Sequence, residues 1–167
     1  MFEKISVNSL KYKTSELPNI PTNECVLPAL TAGIQNQGLN NYVPRDNATI
    51  LKNVISISAN GANTGATFYQ SKEFTVLQDA YAIKWIYTDE KLSDNSYIFL
   101  TSSIHKTIYG NYEWTNKAGW ERIKNDKKAK IILVIIVEKQ QNRYITLQKT
   151  LSKQEFYILI EKYQKTH

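Results

Sequence analysis

The sequence predicts a single α+β domain, rich in β-strands with mixed or antiparallel pairing, carrying a few helices and a short helix near its C-terminal end. Three observations carry that expectation. Pro18, Pro21, Pro28 and Pro44, with Gly33 and Gly38, interrupt every helical period in the first fifty residues, because proline lacks an N–H and locks φ while glycine frees it. The runs that follow are short and rich in β-branched and aromatic residues, ordered strand, loop, strand with no long helix between, which favours antiparallel or mixed pairing. Only two segments repeat apolar residues at helical spacing, 94–108 and 152–164. A chain of 167 residues and 19.3 kDa accommodates one such domain with a core that needs no covalent staple.

Taken in order, Cys25–Leu30 reads as a short buried strand in which Cys25 is a small core residue. Gln35–Asn41 is a polar turn built of residues that tolerate left-handed backbone. Thr49–Ser58 is a strand, Ala59–Gly65 a glycine-punctuated loop, and Ala66–Tyr69, Phe74–Leu77 and Tyr81–Tyr87 are further strands. From Asp94 to about Ile108, Tyr97, Ile98, Leu100, Ile104 and Ile108 recur at helical spacing, with Ser93, Asp94 or Asn95 as N-cap and Gly110 as the stop. His105, a lone histidine near the helix end, is expected to pack there rather than to bind a ligand. Tyr109–Trp120 is an aromatic loop flanked by Lys106, Lys117 and Arg122. Ile131–Val137 is a continuous β-branched strand buried on both faces, and Ser152–Gln164 is a short amphipathic helix with Phe156, Leu159, Ile160 and Tyr163 on one side. Residues 1–137 form the main body; 138–167 add a strand and helix suited to docking a partner or a second copy.

Charge narrows the function. Lys and Arg number 21 against 15 Asp and Glu, a formal net charge of +6 and a pI near 9.2, which favours an anionic partner. One cysteine and two distant histidines, His105 and His167, leave a nitrogen/sulfur metal site almost without ligands. The N-terminus has no signal-peptide pattern and the longest apolar run, Ile131–Val137, is far short of a membrane span; a cytoplasmic protein is expected. The sequence contains no Gly-x-x-x-x-Gly-Lys-Ser/Thr, no Gly-x-Gly-x-x-Gly after a strand and no Gly-x-Ser-x-Gly elbow. Asp79, Asp89, Glu90 and Asp94 are the acids best placed to gather round a metal, but they read as a solvated loop. The expectation is a protein that is not an enzyme and needs no metal or cofactor.

Three segments combine polar groups, aromatics and cations: Asn36–Tyr42 running on to Arg45, Ser58–Lys72, and Tyr109–Arg122. Asn and Gln amides can pair with adenine, and Arg or Lys with guanine, in the major groove. Backbone amides of glycine loops, with Thr and Lys side chains, suit phosphate oxygens. Each segment taken alone has a plainer reading, as a turn or as core aromatics. Together they select Arg45, Asn60, Asn63, Thr64, Lys72, Lys117 and Arg122 as expected DNA contacts.

The order of the segments resembles a target recognition domain of the DNA specificity subunits of Type I restriction–modification systems and of the related Bcg-like Type II enzymes. Phe2-Glu-Lys-Ile5 looks like the first strand of such a domain, and Leu27–Ala32 with Asn36–Tyr42 is similar to its short strand and Asn/Gly-rich turn. Ile55–Gly61 and Gly65–Gln70 match its strand, glycine loop and aromatic strand, and Phe74–Ile83 its next strand pair. Tyr97–Leu100 resembles its helix, and Lys117–Trp120 with Arg122–Asp126 its closing segment. The resemblance covers about residues 2–135. It implies a non-catalytic module that reads a few base pairs of double-stranded DNA and positions methyltransferase and restriction subunits carrying the chemistry. Recognition loops vary with the target, so the resemblance assigns no contact residues. It departs from the family at Leu133-Val134, where a Leu-Pro strand is usual, and in a terminal helix of about 20 Å, too short for the usual spacer. One recognition domain then suggests a half-subunit that forms a homodimer to read a two-part site, one subunit of a split system, or a relic. Two other readings compete: a partner-docking protein of a restriction–modification complex without DNA specificity of its own, and a carbohydrate-binding module stacking sugars on Tyr112, Trp114 and Trp120.

Overall fold

The computed structural model describes residues 2–86 and 92–126. Among these residues, seven strands and two α-helices follow in chain order: β1 (Phe2–Lys4), β2 (Leu27–Leu30), β3 (Asn41–Val43), β4 (Val54–Ser58), β5 (Thr67–Gln70), β6 (Thr75–Val76), β7 (Ala80–Trp85), α1 (Asp94–Ile108) and α2 (Trp120–Ile123). The strands form two sheets. One is antiparallel throughout with order β1-β7-β4-β5; the other has order β3-β2-β6, with β2 antiparallel to β3 and parallel to β6. The α+β class and the mixed pairing both hold.

Strand alternation explains the layering, because successive side chains point to opposite faces. Ile55 and Ile57 of β4 pair with Ile83 and Tyr81 of β7, and all four pack against Tyr97, Leu100, Ile104 and Ile108 of α1. On the opposite face Val54 and Ala82 join Leu30, Leu51, Phe74 and Val76 between the two sheets. Leu27 and Ala29, with Val43, face outward from the second sheet and are covered by Leu10, Leu17, Ala48 and Leu77. The order of layers is therefore helix, sheet, sheet and N-terminal loops. Pro28, in the middle strand of the second sheet, pairs with Tyr42. The Tyr42 N–H points away to Pro18 O at 2.9 Å, so this pair exchanges no ladder bond and the missing proline donor costs nothing there.

The helix at 94–108 forms where its local signals place it. Ser93 caps it by accepting the Ser96 N–H at 3.2 Å, and Gly110, at φ +80°, turns the chain after the C-cap Tyr109. Ile98 departs from expectation. It is 53% exposed beside Phe99, while Thr101 and Thr107 take buried positions. Cys25 also departs: it is half-buried, lies outside the core clusters, and precedes a strand that starts at Leu27. It belongs to a turn, donating its N–H to Thr22 Oγ1 at 3.0 Å. The expected strand at 131–137, the terminal helix at 152–164, the division at 137/138, Tyr87, Asp89 and Glu90 all lie outside the described residues.

Candidate nucleic-acid interface

The loop between β4 and β5 is a pair of tight turns. Ser58 and Ala66 close its base, Ser58 N–H donating to Ala66 O and Gly65 N–H to Ser58 O, each at 2.8 Å. Gly65, at φ +86°, lies so close to the end of α1 that a Cβ there would sit 2.9 Å from Ile108 O. Thr64 is buried at 3% exposure and its Oγ1 accepts the Ala118 N–H at 3.1 Å. The hydroxyl of Thr64, an expected DNA contact, joins two loops inside the protein in this structure. Asn60 donates from Nδ2 to Asp79 Oδ1 at 2.9 Å, tying the loop to the turn before β7. Asn63 is partly exposed and closes a turn through its carbonyl, which accepts Ala66 N–H.

Ala118 fixes the aromatic loop. It is fully buried, its N–H held by Thr64 and its carbonyl by the Tyr81 hydroxyl at 3.0 Å. Burial pushes the Tyr81 hydroxyl pKa well above the usual phenol range, so it stays a neutral donor. The neighbouring residue, Lys117, is thereby held at the surface. Upstream, Glu113 and Asn116 exchange backbone N–H···O bonds at 3.1 and 3.0 Å, a tight turn with Trp114 at its tip, 71% exposed. The Arg122 guanidinium donates to Asn116 Oδ1. Tyr112 donates to Asp126 Oδ2 at 2.9 Å, and burial together with that carboxylate pushes its pKa up to about 12.

This bonding brings Lys117 and Arg122 to one open cleft of about 490 Å³, lined also by Lys4, Thr115, Gly119, Trp120 and Glu121. Lys4 arrives from β1, with its ammonium 5.7 Å from the centre of the Tyr81 ring. Glu121, the acid of the cleft, is paired with Lys124 at 2.6 Å, which leaves the three cations of the lining in excess. Sequence reasoning did not single out Lys4, which the structure brings into this cleft. Phe2-Glu-Lys-Ile5 does not alternate apolar with polar residues, so nothing local sets the position of Lys4; its meeting with Lys117 is a tertiary event.

The remaining expected DNA contacts do not join this cleft. Lys72 and Arg45 lie by the far end of β5, beyond Gln70, whereas the glycine loop precedes Thr67. Arg45 is bound to Glu73 at 2.9 Å, and Lys72 is exposed beside that pair. The aromatic platform needed for stacking sugars is also not assembled: Trp120 is half-buried against Tyr81, Tyr112 is half-buried on Asp126, and of the three only Trp114 is freely exposed. Among the described residues no group of His, Cys, Asp and Glu is placed to hold a metal ion, and no helix is long and apolar enough to cross a membrane. Asp79 and Asp94, two of the four acids considered, are bonded to Asn60 and Tyr69.

A family model described as the Type I restriction modification DNA specificity domain matches residues 2–163. Searches of curated proteins and of solved structures found no significant match.

Proposed function

The chain belongs to the family of Type I restriction modification DNA specificity domains, and from that premise we propose that it is the DNA-reading subunit or half-subunit of a restriction–modification system. It binds double-stranded DNA, reads a few base pairs, and positions methyltransferase and restriction subunits that carry out the chemistry. Two copies side by side would read a two-part target. The observation that carries this reading is the cleft in which Lys4, Lys117 and Arg122 converge on a loop pinned by buried hydrogen bonds. Lysine and arginine held at fixed spacing neutralise phosphates and release condensed counterions, the main source of affinity for duplex DNA. A rigid mount for those cations sets the register in which other side chains meet the bases.

The test is selection from a random duplex pool at moderate salt, with sequencing of the bound fraction. An enriched short motif is expected, and a two-part motif with fixed spacing would identify a working dimer. Uniform binding that collapses with salt, or no binding, overturns sequence reading and leaves the partner-docking alternative.

A further inference from the structure

Resting on that reading, we propose that the turn Gln35–Gly38 is a base-reading element, that Gln37 selects an adenine, and that buried Gln70 is the positioning residue beneath it. The turn is strained and fully tied down. Asn36 and Gln37 both adopt left-handed backbone (φ 46° and 56°), followed by Gly38 at φ 83°. Two successive residues bearing a Cβ rarely take this conformation, and it persists only where the surrounding structure imposes it. Here it does. Thr31 donates to Gly38 O from both N–H (3.0 Å) and Oγ1 (3.4 Å), Leu39 N–H donates to Asn36 O at 3.0 Å, and Asn36 Nδ2 donates to Leu39 O at 2.6 Å. Gly38 is pressed onto β2, where a Cβ would lie 2.9 Å from Leu30 Cδ1.

The underside of the turn is held by an unusual group. Gln70 is 2% exposed, at the end of β5, and its Nε2 donates to both Gln37 O and Ser56 Oγ at 3.0 Å. A primary amide buried this deeply is costly unless bonded, and its bond clamps the main chain of the residue at the exposed tip. Gln37 is exposed, and its side-chain amide has no partner among the described residues. The Asn36 amide is engaged with Leu39 O. A glutamine amide presents one donor and one acceptor, the complement of adenine N6 and N7 in the major groove. Because its backbone is already fixed, binding orders the side chain alone and not the loop that carries it. Ile34, Gln35, Asn36 and Gln37 carry no charge, so the tip contributes selectivity while the cation cleft contributes salt-dependent affinity.

Selection from a random duplex pool with the full chain and with Gln37→Ala, Gln37→Glu and Gln70→Met tests this. Gln37→Ala should lose preference at an adenine position, roughly ten- to hundredfold, with salt dependence and thermal midpoint unchanged. Gln37→Glu should move that position toward cytosine, whose N4 amino group donates. Gln70→Met should broaden the same position and no other; should it fail to fold, the two exposed Gln37 variants decide. An unchanged motif in both Gln37 variants overturns this inference and leaves DNA reading intact. Absence of any motif in the unaltered protein overturns both.

Discussion

His105 illustrates how one side chain in the last turn of α1 serves the sheet rather than a ligand. Its Nδ1 accepts the Thr67 N–H at 3.1 Å, at the start of β5, and its ring stacks on Tyr109 with centroids 4.6 Å apart. Burial holds its pKa below the ordinary imidazole value. Protonation would replace the acceptor with a donor facing an N–H, so the folded state favours the neutral ring. The sign follows: the contribution is present above the unfolded pKa of about 6.5 and is lost as pH falls through it toward the lowered folded value. His105→Leu, which neither accepts nor titrates, should cost about 1–3 kcal/mol near neutral pH by orphaning the Thr67 N–H. The gap to the unaltered protein should narrow as the pH is lowered to about 5. Urea midpoints across that range check it, and a constant gap would remove His105 as the titrating group. Thr64 makes a related point. Its composition suits a phosphate contact, but burial turns it inward to hold Ala118.

Among the elements, the junction of the glycine loop with the end of α1 couples the helix to the candidate interface. Gly65 and Gly61 both adopt positive φ, +86° and +77°, yet differ in surroundings: a Cβ on Gly65 meets Ile108 O at 2.9 Å and Tyr109 Cα at 3.2 Å, whereas one on Gly61 meets nothing within 4 Å. Gly61→Ala should therefore carry only the left-handed backbone penalty, about 1–2 kcal/mol. Gly65→Ala adds a backbone clash, for a total of about 2–5 kcal/mol. Urea denaturation of the two variants separates the effects, and equal losses would show that the loop slides freely over the helix end. Gly65→Ala should also weaken DNA binding more than Gly61→Ala, because moving the loop withdraws Thr64 from the Ala118 N–H that fixes Lys117.

At the scale of the whole molecule, three of the described cations gather in one place. Lys4, Lys117 and Arg122 line one cleft, while Arg45 is neutralised by Glu73 beyond the other end of β5. Substituting Lys117 or Arg122 by Ala should weaken binding to all duplexes and reduce the slope of log affinity against log salt by about 0.9 for each phosphate no longer neutralised. Arg45→Ala should change that slope far less. Equilibrium titrations over a series of salt concentrations check this; an unchanged slope for Lys117→Ala would remove it from the interface.

Much of the local structure was legible from the sequence by itself. Ser93, the apolar spacing from Tyr97 to Ile108, and Gly110 place α1 because helix hydrogen bonds, caps and stops are set by residues within a few positions of one another. The left-handed turn at Gln35–Gly38 was legible for the same reason, since Asn and Gly tolerate that backbone. The cationic character, the lack of a familiar catalytic motif and the ordered segments that resemble DNA specificity domains were legible too. Tertiary structure alone decided that β2 pairs parallel with β6, that Thr64 and Gln70 point inward while Lys72 and Gln37 point out, and that Lys4 meets Lys117 and Arg122. A polar residue on a strand or loop carries no local mark of the face it will occupy. That face is settled by which hydrogen-bond partner waits there once the sheets have closed, and such partners come from distant parts of the chain.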